Sequence, residues 1–311
     1  MKKLLIGLFV IIIMLTLSVY IFIPAKITVS TVRYVKAYHA AVLKFQTDSQ
    51  KINSWLQPIS NKTENGYEYK GFSYNVNRTI SNITEFSIKS DKIDIKSSFI
   101  SLNVYLDSSA IQWAAEIEAG SNPIVRYSRY REAIRLKESM SNLMDQLKIF
   151  LDNSSNMYGI LVKETQLKDS ILISSKVQTV NYPTVDVIYQ QVKKLTDYAA
   201  SKNAAVANSP MLFVKKLDGT HYEAMIGLPI NKNIDQTNEI RIKRMPYNGN
   251  VLVTEIKGGT YSIKKSFDQL ETYLTDAKRS SPAIPYELMV TDRSKETDTA
   301  KWVTRLYYPV M

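Results

Sequence analysis

Residues 188–199 (IYQQVKKLTDYA) and 263–274 (IKKSFDQLETYL) decide how the C-terminal half of the chain folds. Ile188, Val192, Leu195 and Ala199 fall at i, i+4, i+7 and i+11, and Ile263, Phe267, Leu270 and Leu274 repeat that spacing 75 positions later. Each set lays one apolar stripe along an amphipathic helix. Tyr198 is matched by Tyr273 and Pro210 by Pro285 at the same offset. A strand-like run follows each proline, and the halves close on similar phrases, Ile226–Ile230 (IGLPI) and Leu306–Val310 (LYYPV). The pattern predicts a duplicated strand, helix, strand, strand unit. Two such units joined through their strands leave a groove on their pseudo-twofold axis, where a small molecule can sit. The repeat also acts as a control, because a residue that differs in polarity from its mate needs a reason the fold does not supply. Glu287 is that residue, standing where the first half has Leu212.

Upstream, Asp152–Asn156 (DNSSN) follows the last apolar position of a long helix, and five small polar residues there suit a solvated linker. Residues 157–169 then lead into a strand at Ile171–Val180. Before the linker, Ile27, Val29 and Val35 share one parity, as in a strand with one face inward. A helical stretch is expected around His39–Trp55, ended by Pro58, and a polar loop at Asn61–Gly71. Alternation follows through Phe72, Tyr74 and Val76, then Ile93 and Ile95, then Ile100, Leu102, Val104 and Leu106, then Ile111, Trp113, Ala115 and Ile117. Strands joined by short Ser, Asn and Asp turns predict an antiparallel sheet. Gly120–Pro123 (GSNP) starts the long helix, whose stripe is read through Tyr127, Ile134, Met144, Leu147 and Leu151, with Met140 and Leu143 beside it. The class is α+β, divided as 1–25, 26–156 and 157–311.

Leu4–Ile23 is an uncharged run, long enough at about 1.5 Å per residue to cross the roughly 30 Å core of a bilayer. A cleaved signal peptide competes with this reading, but the run is long for one and Tyr20–Lys26 (YIFIPAK) lacks the small-residue cleavage pattern. An uncleaved single-pass anchor is expected. Lys2 and Lys3 before the span place the N terminus inside and the bulk outside the cytoplasm.

The formal charge of +11 suits an anionic surface, yet Lys and Arg are scattered and not gathered with aromatics, so no nucleic-acid partner is expected. Arg126–Lys137 (RYSRYREAIRLK) reads as the wet face of a helix. The chain has no cysteine, which excludes disulfides, zinc ribbons and thiol nucleophiles. His39 and His221, its two histidines, lie far apart and outside any metal-binding motif. No cofactor or metal is implied.

Element order over Ala25–Asp152, with Ile23–Ile27 (IPAKI) directly after the apolar run, resembles the helix-grip or START-like superfamily, also labelled SRPBCC. That likeness implies an apolar ligand between a curved sheet and the long helix; the alternative is that Trp55, Trp113, Met140 and Met144 are plain core. Glu255–Tyr261 (EIKGGTY), Pro285–Thr291 (PYELMVT) and Trp302–Val310 (WVTRLYYPV) resemble the GyrI-like small-molecule-binding domain, the effector-binding domain of AraC-type and multidrug-responsive regulators. The resemblance implies that a groove glutamate, here Glu287, faces the ligand. A carboxylate walled by aromatics selects cationic or hydrogen-bond-donating molecules. Tyr261, Trp302 and Tyr307 are the expected wall residues. Relatives commonly carry Tyr where this chain has Met289.

Two functions from different classes follow. One is a membrane-anchored protein that holds or senses a hydrophobic or cationic small molecule without turnover. The alternative is a hydrolase of reactive electrophiles, in which Glu287 would activate water.

Overall fold

The computed structural model describes residues 2–63, 66–168, 171–246 and 248–311. Helix α1 (Lys2–Phe22) is apolar on every side, and its Leu5–Phe22 segment has a mean hydropathy of 2.8 and is not buried, a length and composition sufficient to cross a membrane. The chain then divides into two compact units, Met1–Asn153 and Ser154–Met311.

The first unit is a seven-stranded antiparallel sheet ordered β1-β7-β6-β5-β4-β3-β2. Its strands are β1 (Lys26–Val35), β2 (Asn61–Thr63), β3 (Gly66–Tyr69), β4 (Phe72–Ile80), β5 (Ile83–Lys89), β6 (Asp94–Tyr105) and β7 (Ser108–Glu118). The stretch expected as a loop at Asn61–Gly71 therefore contains the paired strands β2 and β3, with Glu64 and Asn65 outside the described residues. The helix expected around His39–Trp55 is two, α2 (His39–Thr47) and α3 (Ser49–Leu56), because Asp48 leaves the helical conformation and its carboxylate accepts from Gln50 N at 2.8 Å as a cap.

Helix α4 (Pro123–Leu151) begins where Asn122 caps Ile124 N and Val125 N and Pro123 occupies the first turn. Its buried face departs from the apolar stripe in the first half. Tyr127 and Ile134 are exposed, and the buried positions there are Arg126, Glu132, Ala133 and Leu136. The two charged ones are buried because each has a partner. Arg126 donates through Nε to Ile23 O at 2.9 Å, satisfying a carbonyl left open at the end of α1. Glu132 accepts from Ser90 Oγ at 2.7 Å and from Arg135 at 2.9 Å. Under the second half, Trp113 is fully buried against Phe86, Phe99 and Tyr74 at ring-centroid distances of 5.0 to 5.7 Å. Tyr74 meets Ser139 of α4 at 2.7 Å.

The second unit opens with the short helix α5 (Ser154–Tyr158) and forms an eight-stranded antiparallel sheet ordered β12-β9-β11-β10-β14-β15-β13-β8. The first repeat is β9 (Ile171–Val180), α6 (Val185–Ser201), β10 (Met211–Lys216) and β11 (His221–Pro229). The second is β13 (Asn250–Lys257), α7 (Thr260–Ala277), β14 (Tyr286–Met289) and β15 (Val303–Pro309). Strands β8 (Lys163–Gln166) and β12 (Arg241–Arg244) extend the two edges. Mirror order about the β10–β14 seam is the duplication read from the helices. At that seam Met211 pairs with Leu288 and Leu212 with Glu287, so the two repeat mates of unlike polarity face each other across the axis.

Candidate functional site

Alternation along β14 sends Glu287 and Met289 to one face of the sheet and Tyr286 and Leu288 to the other. Met289 packs with Leu212, Ile226 and the α6 residues Ile188, Leu195 and Ala199, so Glu287 lies on the helix-covered face. Tyr286 and Leu288 pack with Met211, Leu172 and Val251 on the face without helices. The two faces carry different chemistry.

On the helix-covered face the Glu287 side chain is 6% exposed and its Oε2 accepts from Arg293 Nη2 at 2.9 Å. The same Nη2 donates to Thr304 Oγ1 at 2.8 Å, while Arg293 Nε is buried without a hydrogen-bond partner. The guanidinium carbon lies 4.9 Å from the Trp302 ring centroid. Arg293 reaches this position from the β14–β15 loop. Asp292 turns that loop by accepting from Ser294 N at 3.1 Å, and Tyr189 of α6 holds it by accepting from Arg293 N at 2.7 Å through its hydroxyl. Trp302 is fixed in turn by donation from Nε1 to Glu296 O at 2.8 Å.

A carboxylate beside an indole face is a recognition set for an organic cation, and the chain's own guanidinium fills it. Burial pushes the Glu287 carboxyl above its ordinary range, opposed by the Arg293 charge and hydrogen bond and more weakly by Lys264. Burial likewise raises the neighbouring Tyr182 hydroxyl, helped by the Glu287 charge. Lys264 Nζ sits 4.2 Å from the Tyr182 ring centroid.

The expected wall residues separate. Trp302 joins Glu287 through Arg293. Tyr307 lies on the opposite face, stacked on Tyr286 with centroids 5.0 Å apart and planes at 1°. Tyr261, in the first turn of α7, is 81% exposed. Arg293, Thr304 and Tyr189 were invisible to the sequence reading. The one signal for them was Glu287 itself, since a buried carboxylate on an apolar sheet requires a donor.

On the helix-free face a cavity of about 680 Å³ opens over β9, β11, β10 and β14. Leu172, Met211, Phe213, Met225 and Tyr286 form its floor, and Gly227 lies among them, where an added Cβ would stand 3.1 Å from Leu172 Cδ1. Met245 and Pro246 cover it from one side and Pro282 and Ile284 from the other, the prolines stiffening both connections. Lys243 and Arg244 stand at its margin, and no Asp or Glu is among its described lining residues.

No protein-family model matches the chain, and no curated protein does. Solved structures do. The C-terminal domain of EcmrR is 14% identical, with a TM-score of 0.39 over 49% of this chain and 98% of that one. A protein named SAV2435, solved bound to tetraphenylphosphonium, is 16% identical, with a TM-score of 0.34 over 48% and 93%. A hydrolase from Listeria innocua is 11% identical, with a TM-score of 0.37 over 48% and 92%. The first two have the GyrI-like effector-binding fold, the one that the phrases of the C-terminal half resemble.

Replacing Arg293 with Met should cost about 3 kcal/mol, because it strands a buried carboxyl. Replacing Glu287 with Leu at the same time should recover most of that loss, since Leu212 fills the mirrored position. Urea unfolding of the two single variants and the double variant checks this; a double variant as unstable as the sum of the singles would contradict the pairing.

Burial sets the folded pKa of Glu287 above its ordinary 4.5, so the folded chain holds that proton more firmly than the unfolded one. Its contribution is complete below the unfolded value and is lost as pH rises through the folded one. Wild-type stability minus that of Glu287→Gln should therefore fall from pH 4.5 towards neutrality. A difference that grows over that range would mean that the Arg293 pair outweighs burial.

Proposed function

We propose that this chain is a membrane-tethered binding protein whose C-terminal unit holds an apolar small molecule in the cavity on the helix-free face of its duplicated sheet. The carrying observation is the cavity of about 680 Å³, floored by apolar side chains at the seam between the repeats. Cavities of this size in apolar surroundings favour ligands that lose water on entry. Tyr307 contributes by backing Tyr286 in the floor. Glu287 and Trp302 act through Arg293, holding the β14–β15 loop on the other face in place of a bound organic cation. A hydrolase reading would need Glu287 to reach a water and a substrate, and its partner on this face is the guanidinium.

In the same proposal α1 is a single-pass anchor with the N terminus inside, and both units lie outside the cytoplasm. The N-terminal START-like unit is read as scaffold, because Trp113, Phe86 and Phe99 fill the sheet beneath α4.

Native mass spectrometry of the full chain released from detergent should show one molecule of 1-decanol bound, and Met225→Trp, which fills the cavity from its floor, should abolish it. Binding unchanged in that variant would contradict the site. The chain should also stay in the membrane pellet through alkaline carbonate; release would contradict the anchor.

A further inference from the structure

We infer that the first turn of α4, with Ile124 and Tyr127 outermost, sits in the lipid interface beside α1, so that the N-terminal unit is held against the bilayer and does not swing on a tether; this rests on the reading of α1 as an anchor. The 21 residues of α1 rise about 31 Å at about 1.5 Å each, against roughly 30 Å of hydrocarbon. The helix has no length to spare, so its last turn, where Tyr20 stands, lies at the boundary of the bilayer. Three residues, Ile23, Pro24 and Ala25, then separate α1 from β1. They form no loose linker. Ile23 is buried, Pro24 has a fixed φ, and Ala25 O accepts from Ala119 N at 2.8 Å.

Side chains clasp the same junction to α4. The Tyr20 hydroxyl donates to Ser121 O, Arg126 Nε donates to Ile23 O at 2.9 Å, and the Arg126 guanidinium carbon lies 5.0 Å from the Tyr20 ring centroid. Arg126 is buried there with its charge at the C-terminal end of α1, where the helix dipole favours a cation. These contacts hold the start of α4 within about a side chain's length of the level at which α1 leaves the hydrocarbon. Contacts further along fix the direction of α4. Arg33 Nη2 donates to Asp145 Oδ2 at 3.1 Å and Lys36 N to Asp152 Oδ1 at 2.7 Å, so α4 runs alongside β1 and away from the anchor. Its first turn is therefore the membrane-proximal end. Ile124 is 79% exposed there and Tyr127 53%, and residues three apart share a helix face, while Arg126 points inward. Single apolar side chains would be ordinary surface in water. Beside the end of an apolar span they meet lipid instead, and an interface accepts both an isoleucine and a tyrosine ring with its hydroxyl turned to water.

The chain has no cysteine, so one introduced thiol takes a spin label without competition. Ile124→Cys, Tyr127→Cys and Leu106→Cys are each labelled in the full chain and reconstituted into phosphatidylcholine vesicles. Collision of the label with oxygen, which concentrates in lipid, is compared with collision with a nickel chelate, which stays in water. Leu106 is the control: it is 90% exposed in the β6–β7 turn, near the Val35 end of β1, and the 10 residues of that strand put it about 30 Å from the anchor. The oxygen-to-nickel ratio should be well above the control at positions 124 and 127, and should hold as salt rises, because the insertion is apolar. Ratios no higher than the control, in chains that float with the vesicles, would overturn the docking and leave the anchor standing. A ratio that collapses at high salt would mean that surface cations and not apolar insertion bring the turn to the lipid, and would overturn it as well. A chain that does not float with the vesicles would overturn the anchor and this inference together.

Discussion

Two residue pairs, Met211 with Leu288 and Leu212 with Glu287, join the halves of the eight-stranded sheet, and the rest of the C-terminal unit depends on them. An antiparallel ladder alternates its side chains, so this short seam sends one pair to each face. Met211 and Leu288 go to the helix-free side with Tyr286 and Leu172. Leu212 and Glu287 go under the helices, where α6 and the β14–β15 loop close over them. A slip of one residue would put the carboxylate into the apolar cavity and the Arg293 loop over nothing.

That arrangement separates two tasks that a single groove would combine. A buried acid facing an aromatic would attract an organic cation, but here the guanidinium on Trp302 already neutralises it. Burying the pair costs desolvation, met in part by the Arg293 hydrogen bonds to Glu287 and Thr304, while Tyr189 and Glu296 hold the loop and Trp302, and Arg293 Nε stays unpaired. The other face is left apolar, roofed by proline-containing connections and bordered by cations. At the sheet edge β12 brings Arg241 and Lys243 alongside β9.

How much of this was legible follows from which forces write themselves into local patterns. The repeat was readable because Ile188, Leu195 and Ala199 and their mates Ile263, Leu270 and Leu274 must all be buried at helical spacing. Glu287 was readable as an anomaly because the duplication supplied Leu212 for comparison. Its partner was not, since Arg293 enters from a loop with no counterpart in the first half, where a tight turn joins β10 to β11. In α4 the apolar stripe misled at Tyr127 and Ile134, because hydrophobicity cannot show that Arg126 and Glu132 have distant partners that let them be buried. A groove on the axis between the repeats was expected from the duplication, but the residues that line the cavity were not. No local pattern marks Leu172, Met211, Met225 and Met245, because unfilled space arises from how connections far apart in sequence pass over the sheet.

Methionine methyls report the two faces independently. Met211, Met225 and Met245 line the cavity, whereas Met289 is packed under the helices beside Glu287. With 13C-methyl methionine in the full chain, addition of 1-decanol should shift the resonances of Met211, Met225 and Met245 and leave Met289 in place. A shift at Met289 with the other three unmoved would put the ligand on the Glu287 face and contradict the account.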